Sequence, residues 1–400
     1  MADRFRPRLH PTLAPWINDP IPFFWEGRYH LFLQHNPTAT TGGNMHWGHV
    51  SSDNLADWNA QPTALAPDRP YDREGVWTGS VIEHDGRFYA YYTSIPTFEP
   101  FTQWQSFAVS ADLIAWEKHP CSPVLSQPPE GFGPCWRDPL VWREAASWKM
   151  IVGSQREGIG GAALLYQSFD LRNWSYLGVL AESPKEQTGI DYECPDFFEI
   201  DGQWVLLSSR EAVHWQVGEY DGRRFSARAY GVCDGPEYSE ATKDASPFYA
   251  AKTLVDAKGR RLLFGWLRER RSEEELRQAG WSGAISFPRV VRVENGRLAF
   301  AWPEELENLR QEPMPVSEAC RLHPDRPVEI ETEGATVSLA LDTDEHVLSE
   351  GGRLRLFCDG SVIEAIVEGR PTSFRSYTEE RSLRVSGGEA MAWSLGSALC

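Results

Sequence analysis

Long apolar runs are missing from this 400-residue chain. None is long enough to span a bilayer as a helix, which excludes a helical membrane protein. The opening residues, Met1 to Arg8, are polar and lack the apolar core of a secretory leader. Cysteine is sparse and unpatterned: Cys121, Cys135, Cys194, Cys233, Cys320, Cys358 and Cys400 are odd in number and contain no Cys-x-x-Cys. Neither a disulfide framework nor a zinc site follows from such spacing, and a reducing cytoplasm is the expected setting. Positive charge is short as well. Lys and Arg total 39 against 57 Asp and Glu, a formal net charge of −18. So acidic a surface excludes nucleic acid and anionic membranes as expected partners and suits a small neutral substrate. His46 and His49 have a spacing that suggests a metal, but they lack a third ligand. The glycines of Gly158-Ile159-Gly160-Gly161 sit between strand-like segments, with no helix to follow as a phosphate loop requires. No metal and no cofactor is expected.

What the chain has instead is a beat. Ser52-Asp53-Asn54-Leu55-Ala56-Asp57-Trp58, Ser110-Ala111-Asp112-Leu113-Ile114-Ala115-Trp116 and Ser168-Phe169-Asp170-Leu171-Arg172-Asn173-Trp174 share one pattern, and their tryptophans are evenly spaced. A second element keeps the same period: Glu26-Gly27-Arg28-Tyr29, Asp85-Gly86-Arg87-Phe88 and Asp201-Gly202-Gln203-Trp204, with looser copies at Ser147-Trp148 and Lys258-Gly259-Arg260-Arg261. Each is a hairpin signal between alternating apolar residues. Repeated short strands, aromatics and turns at this period predict an all-β chain, a five-bladed β-propeller over residues 1–303. Ser272-Glu273-Glu274-Glu275 with Gly280 beyond predicts a capped helix inserted in the fifth blade. Pro303 to Leu309 predicts a short acidic helix, and 304–315 reads as a linker. From 316 to 400, alternating segments at Val328–Thr332, Thr336–Leu341, Leu354–Phe357, Val362–Val367 and Ser373–Tyr377, with a turn at Asp359-Gly360, predict a short β-sandwich.

In a propeller the innermost strands line one channel, so residues ahead of each first hairpin converge. The first, third and fourth units offer Asp19, Asp138 and Glu193 there; the second offers Thr78 and Ser80. Three carboxylates are expected to face one another at the channel mouth. Seventeen tryptophans supply both packing between blades and platforms for the apolar faces of sugar rings.

The blocks around those carboxylates carry a resemblance. Trp16-Ile17-Asn18-Asp19-Pro20, the run Tyr29 to Pro37, Trp47-Gly48-His49, Trp136-Arg137-Asp138-Pro139 and Tyr192-Glu193-Cys194-Pro195-Asp196 are similar to the signature blocks of the family 32 glycoside hydrolases, the invertases, fructanases and other β-fructofuranosidases. The likeness continues through Gly265-Trp266, Trp281-Ser282-Gly283, Phe287-Pro288-Arg289 and the segment Asp359 to Glu364. It implies that Asp19 is the nucleophile, Asp138 the transition-state stabiliser and Glu193 the acid/base. It implies that Asn18, Gln34, Trp47, Trp77, Thr78 and Arg137 contact the fructosyl unit, with Cys194 tuning Glu193. A retaining glycosidase needs one ionised carboxylate below the anomeric carbon and one protonated carboxyl beside the leaving oxygen. Glu193 is therefore expected to have a raised pKa, and Arg137 to hold Asp138 ionised.

Two departures from the family pattern stand out. Ile21-Pro22 replaces the usual Asn-Gly after the Asn-Asp-Pro block, which is expected to remove a polar contact and weaken sucrose as a substrate. Lys243 to Ala250 lacks the Asp and Gly usual before Phe-Tyr-Ala. The implied reaction is retaining hydrolysis of terminal fructosyl linkages in sucrose, fructo-oligosaccharides or fructans. A fructosyltransferase using the same intermediate, and a non-catalytic sugar-binding propeller, are the alternatives.

Overall fold

A computed structural model describes residues 3–235 and 246–398. The chain is all-β. Five antiparallel sheets follow one another along it, and in the first four the strand order on the sheet is the chain order. Their first strands are Trp16–Trp25, Gly75–His84, Phe132–Glu144, Glu193–Ile200 and Phe248–Val255. Each of these touches the next, and the fifth returns to touch the first, so the five inner strands close a ring.

The repeated tryptophans show why the sheets stack in this way. Trp58 of the first sheet meets Phe264 of the fifth edge-on at 6.0 Å, Trp116 meets Phe32 of the first sheet at 5.7 Å, and Trp174 meets Tyr91 of the second at 5.7 Å. Each sheet thus inserts its tryptophan against the preceding one in an edge-to-face contact. The residues ahead of the ring aim it. Asn54, Asp112 and Asp170 each accept two backbone N–H bonds through Oδ1, from the residues two and three positions on. That turn puts Leu55, Leu113 and Leu171 at φ near +60°, a conformation leucine seldom adopts, and buries all three.

The hairpins at Glu26-Gly27, Asp85-Gly86 and Asp201-Gly202 have both turn residues at positive φ, as a type I′ turn requires. In the third sheet the turn falls at Ala145-Ala146, just ahead of the Ser147-Trp148 signal. The inserted helix spans Glu273–Ala279, with Ser272 and Glu275 forming a reciprocal capping box and Gly280 closing it in the left-handed region. The acidic segment Glu304–Leu309 is a 3₁₀ helix. The phosphate-loop lookalike Gly158–Gly161 is the turn and first residues of a hairpin.

Beyond it lie a six-stranded and a three-stranded sheet packed around Val328, Ile330, Leu339, Leu356 and Ile363. Arg310–Pro313, read in sequence as linker, pairs with Glu389–Leu395 as an edge strand. Asp344–Glu350, Arg381–Ser386 and Glu389–Leu395 are strands too, in segments whose charged residues blur the alternation. A buried ionic chain ties these sheets to the ring. His10 lies between Asp359 (2.8 Å) and Glu364 (2.9 Å), and Arg289 bridges Glu364 (2.9 Å) and Asp234 (2.8 Å). Burial alone would drive His10 towards its neutral form, but the two carboxylates outweigh it and raise its pKa. No helix among the described residues is long and apolar enough to cross a membrane.

Candidate active site

One irregularity recurs in every sheet of the ring. Where the inner strand pairs with its neighbour, two residues oppose one: Asn18-Asp19 against Gln34, Trp77-Thr78 against Thr93, Asp138-Pro139 against Val152, Cys194-Pro195 against Ser208, and Ala250-Ala251 against Gly265. A bulge of this kind kinks the strand and re-aims side chains. It also corrects the sequence-based idea of one shared repeat position. Asp19 is the second bulge residue, Asp138 the first, and Glu193 the residue before the bulge, so the three carboxylates come from three successive positions.

They converge on a cleft of about 420 Å³ lined by Asn18, Asp19, Gln34, Arg137, Asp138 and Glu193, with Met45, Trp77 and Phe101 on one wall and Tyr249 and Trp266 on another. Asp19 is buried among neutral donors. Its Oδ2 accepts from Thr78 Oγ1 (2.6 Å), Gln34 Nε2 (3.2 Å) and Cys194 Sγ (3.4 Å). Burial and the nearby Asp138 charge push its pKa up to about 6, against the pull of those hydrogen bonds. Asp138 sits at φ +64°, its backbone N–H bonded to Thr93 Oγ1 (2.7 Å) and its Oδ2 accepting the Cys194 N–H (2.7 Å). Its pKa too is raised, chiefly by burial.

Glu193 is surrounded by donors. Tyr249 donates to Oε2 (2.5 Å), while Arg210 (3.0 Å) and Arg137 donate to Oε1. Arg137 also reaches Asp191 (3.0 Å), and Arg210 lies 3.3 Å from Asp191. Burial would raise the Glu193 pKa, but Arg137, Tyr249 and Arg210 reverse the sign and hold it below the usual value. The expectation of a raised Glu193 is therefore corrected: two cations and a phenol donor outweigh desolvation. Arg137 does favour ionised Asp138, as expected, with its Nε 4.0 Å away, while its Nη2 donates to Asp191 and Glu193.

Asn18, Gln34, Trp77 and Arg137 reach the cleft wall. The buried Asn18 Oδ1 has no protein partner. Trp47, Thr78 and Cys194 lie behind the wall. Trp47 is fully buried and donates to the Trp77 carbonyl at 2.9 Å, Thr78 holds Asp19, and the Cys194 thiol faces Asp19 and not Glu193. Ile21 is buried against Phe32 and Trp47 in an unbroken strand, and Pro22 pairs with Leu31. Neither lines the cleft, so the expected effect of Ile21-Pro22 on sucrose loses its physical basis. Of the unusual fifth-unit motif, Lys243, Asp244 and Ala245 lie outside the described residues.

Arg210, Asp191 and Tyr249 were missed in sequence. Tyr249 had a signal, because it is the Tyr of the Phe-Tyr-Ala block of the fifth unit. His46 bonds the Asn44 carbonyl (2.7 Å) and His49 meets His30 (3.0 Å), so the two do not pair. Among the described residues no three His, Cys, Asp or Glu are grouped to hold a metal.

A buried acidic cleft with two aromatic walls, at the mouth of a ring of sheets, is the site of a sugar-processing enzyme. Residues 10–303 match the family model described as the glycosyl hydrolases family 32 N-terminal domain. The chain belongs to glycosyl hydrolase family 32 and is a glycosidase of the β-fructofuranosidase type. It is 32% identical to a sucrose-6-phosphate hydrolase of Escherichia coli, the match covering 98% of this chain and 84% of that protein. It is 33% identical to the raffinose invertase of Escherichia coli, covering 92% and 78%. Among solved structures it is similar to fructan 1-exohydrolase IIa of Cichorium intybus, with a TM-score of 0.84 and 25% identity over 99% of this chain and 98% of that one. It is also similar to a variant of a Bombyx mori β-fructofuranosidase solved with sucrose, with a TM-score of 0.83 and 25% identity over 99% and 95%.

Proposed function

We propose that the enzyme cleaves terminal β-D-fructofuranosyl linkages of sucrose, fructo-oligosaccharides or fructans with retention, through a covalent fructosyl intermediate on Asp19. The observation that carries this is the contrast between two carboxyls in one cleft. Asp19 is held by neutral donors alone, so ionised it is an unquenched nucleophile. Glu193 is held by two guanidinium groups and a phenol, donors that a sugar leaving group would displace. In this reading, Asp19 attacks the anomeric carbon as the bond to the leaving oxygen breaks, and Glu193 delivers a proton to that oxygen. Glu193 then takes a proton from water as water attacks the intermediate and frees Asp19. Asp138, fixed by the Cys194 N–H, accepts hydroxyl hydrogen bonds that strengthen in the oxocarbenium-like state. Asn18, with its unpartnered acceptor, and Gln34 grip the fructosyl ring, while Met45, Trp77 and Phe101 face the leaving group.

The same proposal places this chemistry on a five-bladed β-propeller over residues 1–303, linked through 304–315 to a β-sandwich over 316–400. The five sheets, their closed ring of inner strands and the family support it. We place the enzyme in the cytoplasm, where the described cysteines, all free thiols, stay reduced. The test is incubation with sucrose and with inulin-type and levan-type oligosaccharides, with products separated by chromatography and the first-formed fructose followed by NMR. β-Fructofuranose released first supports retention, α-fructofuranose contradicts it, and longer fructosides as the main product identify transfer to sugar instead of water.

A further inference from the structure

A buried lysine underlies the carboxylates and takes no part in the chemistry above. Lys252 directly follows the bulge of the fifth inner strand, is 2% exposed, and donates from Nζ to the Pro195 carbonyl at 3.0 Å. A buried ammonium with only a carbonyl for partner is costly unless negative charge lies close. Asp138 supplies it, since the Lys252 charge acts on that buried carboxylate. Arg137 and Arg210 are both engaged with Asp191 and Glu193. Beside Arg137, whose Nε stands 4.0 Å from Asp138, Lys252 is a further cation whose field favours the ionised form of Asp138.

Its anchor matters as much as its charge. Pro195 is the second residue of the fourth bulge, and Cys194 is the first. Through Cys194 that one bulge reaches both aspartates, by the N–H to Asp138 (2.7 Å) and by the thiol to Asp19 (3.4 Å). We propose that Lys252 is a positioning residue: pinned to the Pro195 carbonyl, it fixes the bulge that holds Asp19 and Asp138 and supplies a counter-charge to Asp138. This rests on the roles proposed above for those two aspartates. The titratable groups facing it are Asp138 and Cys194, with Asp196 of the neighbouring strand bonded to the next residue, Thr253.

The test uses the full chain and two readouts. With ¹³C-labelled aspartate, NMR follows the buried carboxyls through a pH titration, and the pH profile of kcat/KM on sucrose follows their function. In Lys252→Met, Asp138 should hold its proton to a pH higher by about one unit, with kcat down about tenfold and KM little changed. Lys252→Arg should leave the titration where the wild type has it. An unmoved Asp138 titration in Lys252→Met overturns the proposal, as does an equal shift in the arginine variant. Should the methionine variant not fold, Lys252→Gln, which keeps a donor for the carbonyl but no charge, is read in the same way. The NMR readout does not depend on turnover. A wild type that releases no fructose from any fructoside therefore sinks the reading of function while leaving this one to its own result.

Discussion

Arg210→Met is the substitution that separates the resting site from the working one. Arg210 Nη1 lies 3.0 Å from Glu193 Oε1, and its side chain is 29% exposed. Two unit charges at that distance interact by about 1.4 kcal/mol at the dielectric of water and by about 5.5 kcal/mol at an effective value near 20. Partial exposure selects the lower end, and about 1.4 kcal/mol corresponds to about one pH unit. The sign follows from the charge. Arg210 favours ionised Glu193, so its removal lets Glu193 keep its proton to higher pH. The acid must be protonated while Asp19 is ionised, and with Glu193 held below its usual value and Asp19 pushed up to about 6 only a minor fraction of the free enzyme has both. Arg210→Met should therefore enlarge that fraction and raise kcat/KM about tenfold at neutral pH. Arg137 and Tyr249 still hold the carboxylate in place, so the site survives. The assay is initial rates on sucrose across pH, with far-UV circular dichroism to check the fold. A neutral-pH kcat/KM that does not rise in a folded variant refutes the assignment of Glu193 as the acid tuned by Arg210.

Asp19→Ala should abolish turnover, and azide added to it should give only the inverted, α-configured fructosyl azide, identified by NMR; a β-azide would contradict the assigned face of attack. Because Asp19, pushed up to about 6, must be ionised while Glu193, held below its usual value, must be protonated, the alkaline limb of wild-type kcat/KM should set in near about 6, and a rate that stays flat well above that value would assign the two roles elsewhere. Glu193→Ala should slow sucrose by about 10²- to 10⁴-fold while barely affecting a fructoside with an activated leaving group, and equal losses on both would remove Glu193 from the acid role. Trp116→Ala, which deletes a partly buried ring held edge-on against Phe32, should cost about 2–3 kcal/mol in urea unfolding, and a cost below about 0.5 kcal/mol would deny the ring its part in joining the sheets.

The parts legible in sequence were those written locally. A turn that needs Asp or Asn at one position, Leu three places past the Ser and Trp three further on announces itself wherever it recurs. So do Asp-Gly hairpins and the Ser272 to Gly280 helix, whose start and stop are both side-chain chemistry within one segment. The three carboxylates were legible because they sit in short blocks with distinctive neighbours. What stayed hidden was set by partners far along the chain. Arg137 adjoins Asp138 in sequence, yet its guanidinium turns to Asp191 and Glu193, 54 and 56 residues away. Trp47 looked like a sugar platform, but strand pairing turns it into the core. Ile21 looked like a change in the site, and the same alternation buries it.

The bulge is the clearest case, and it explains why the site needs a ring and not one sheet. Whether two residues oppose one is a property of a strand pair, so no single segment records it. Without the bulge, side chains along each inner strand would alternate strictly between the two faces of the sheet. Asp19, Asp138 and Glu193, drawn from three successive positions, would then face different ways. The extra residue in each strand breaks that alternation where the strands approach one another. It places Cys194, at φ +48°, so that its backbone N–H meets Asp138 while its thiol meets Asp19. Extended, regular pairing would commit that N–H to the ladder or leave it turned from the cleft. The carboxylates are thus gathered by a backbone irregularity repeated five times, with the chemistry written into only three of the copies.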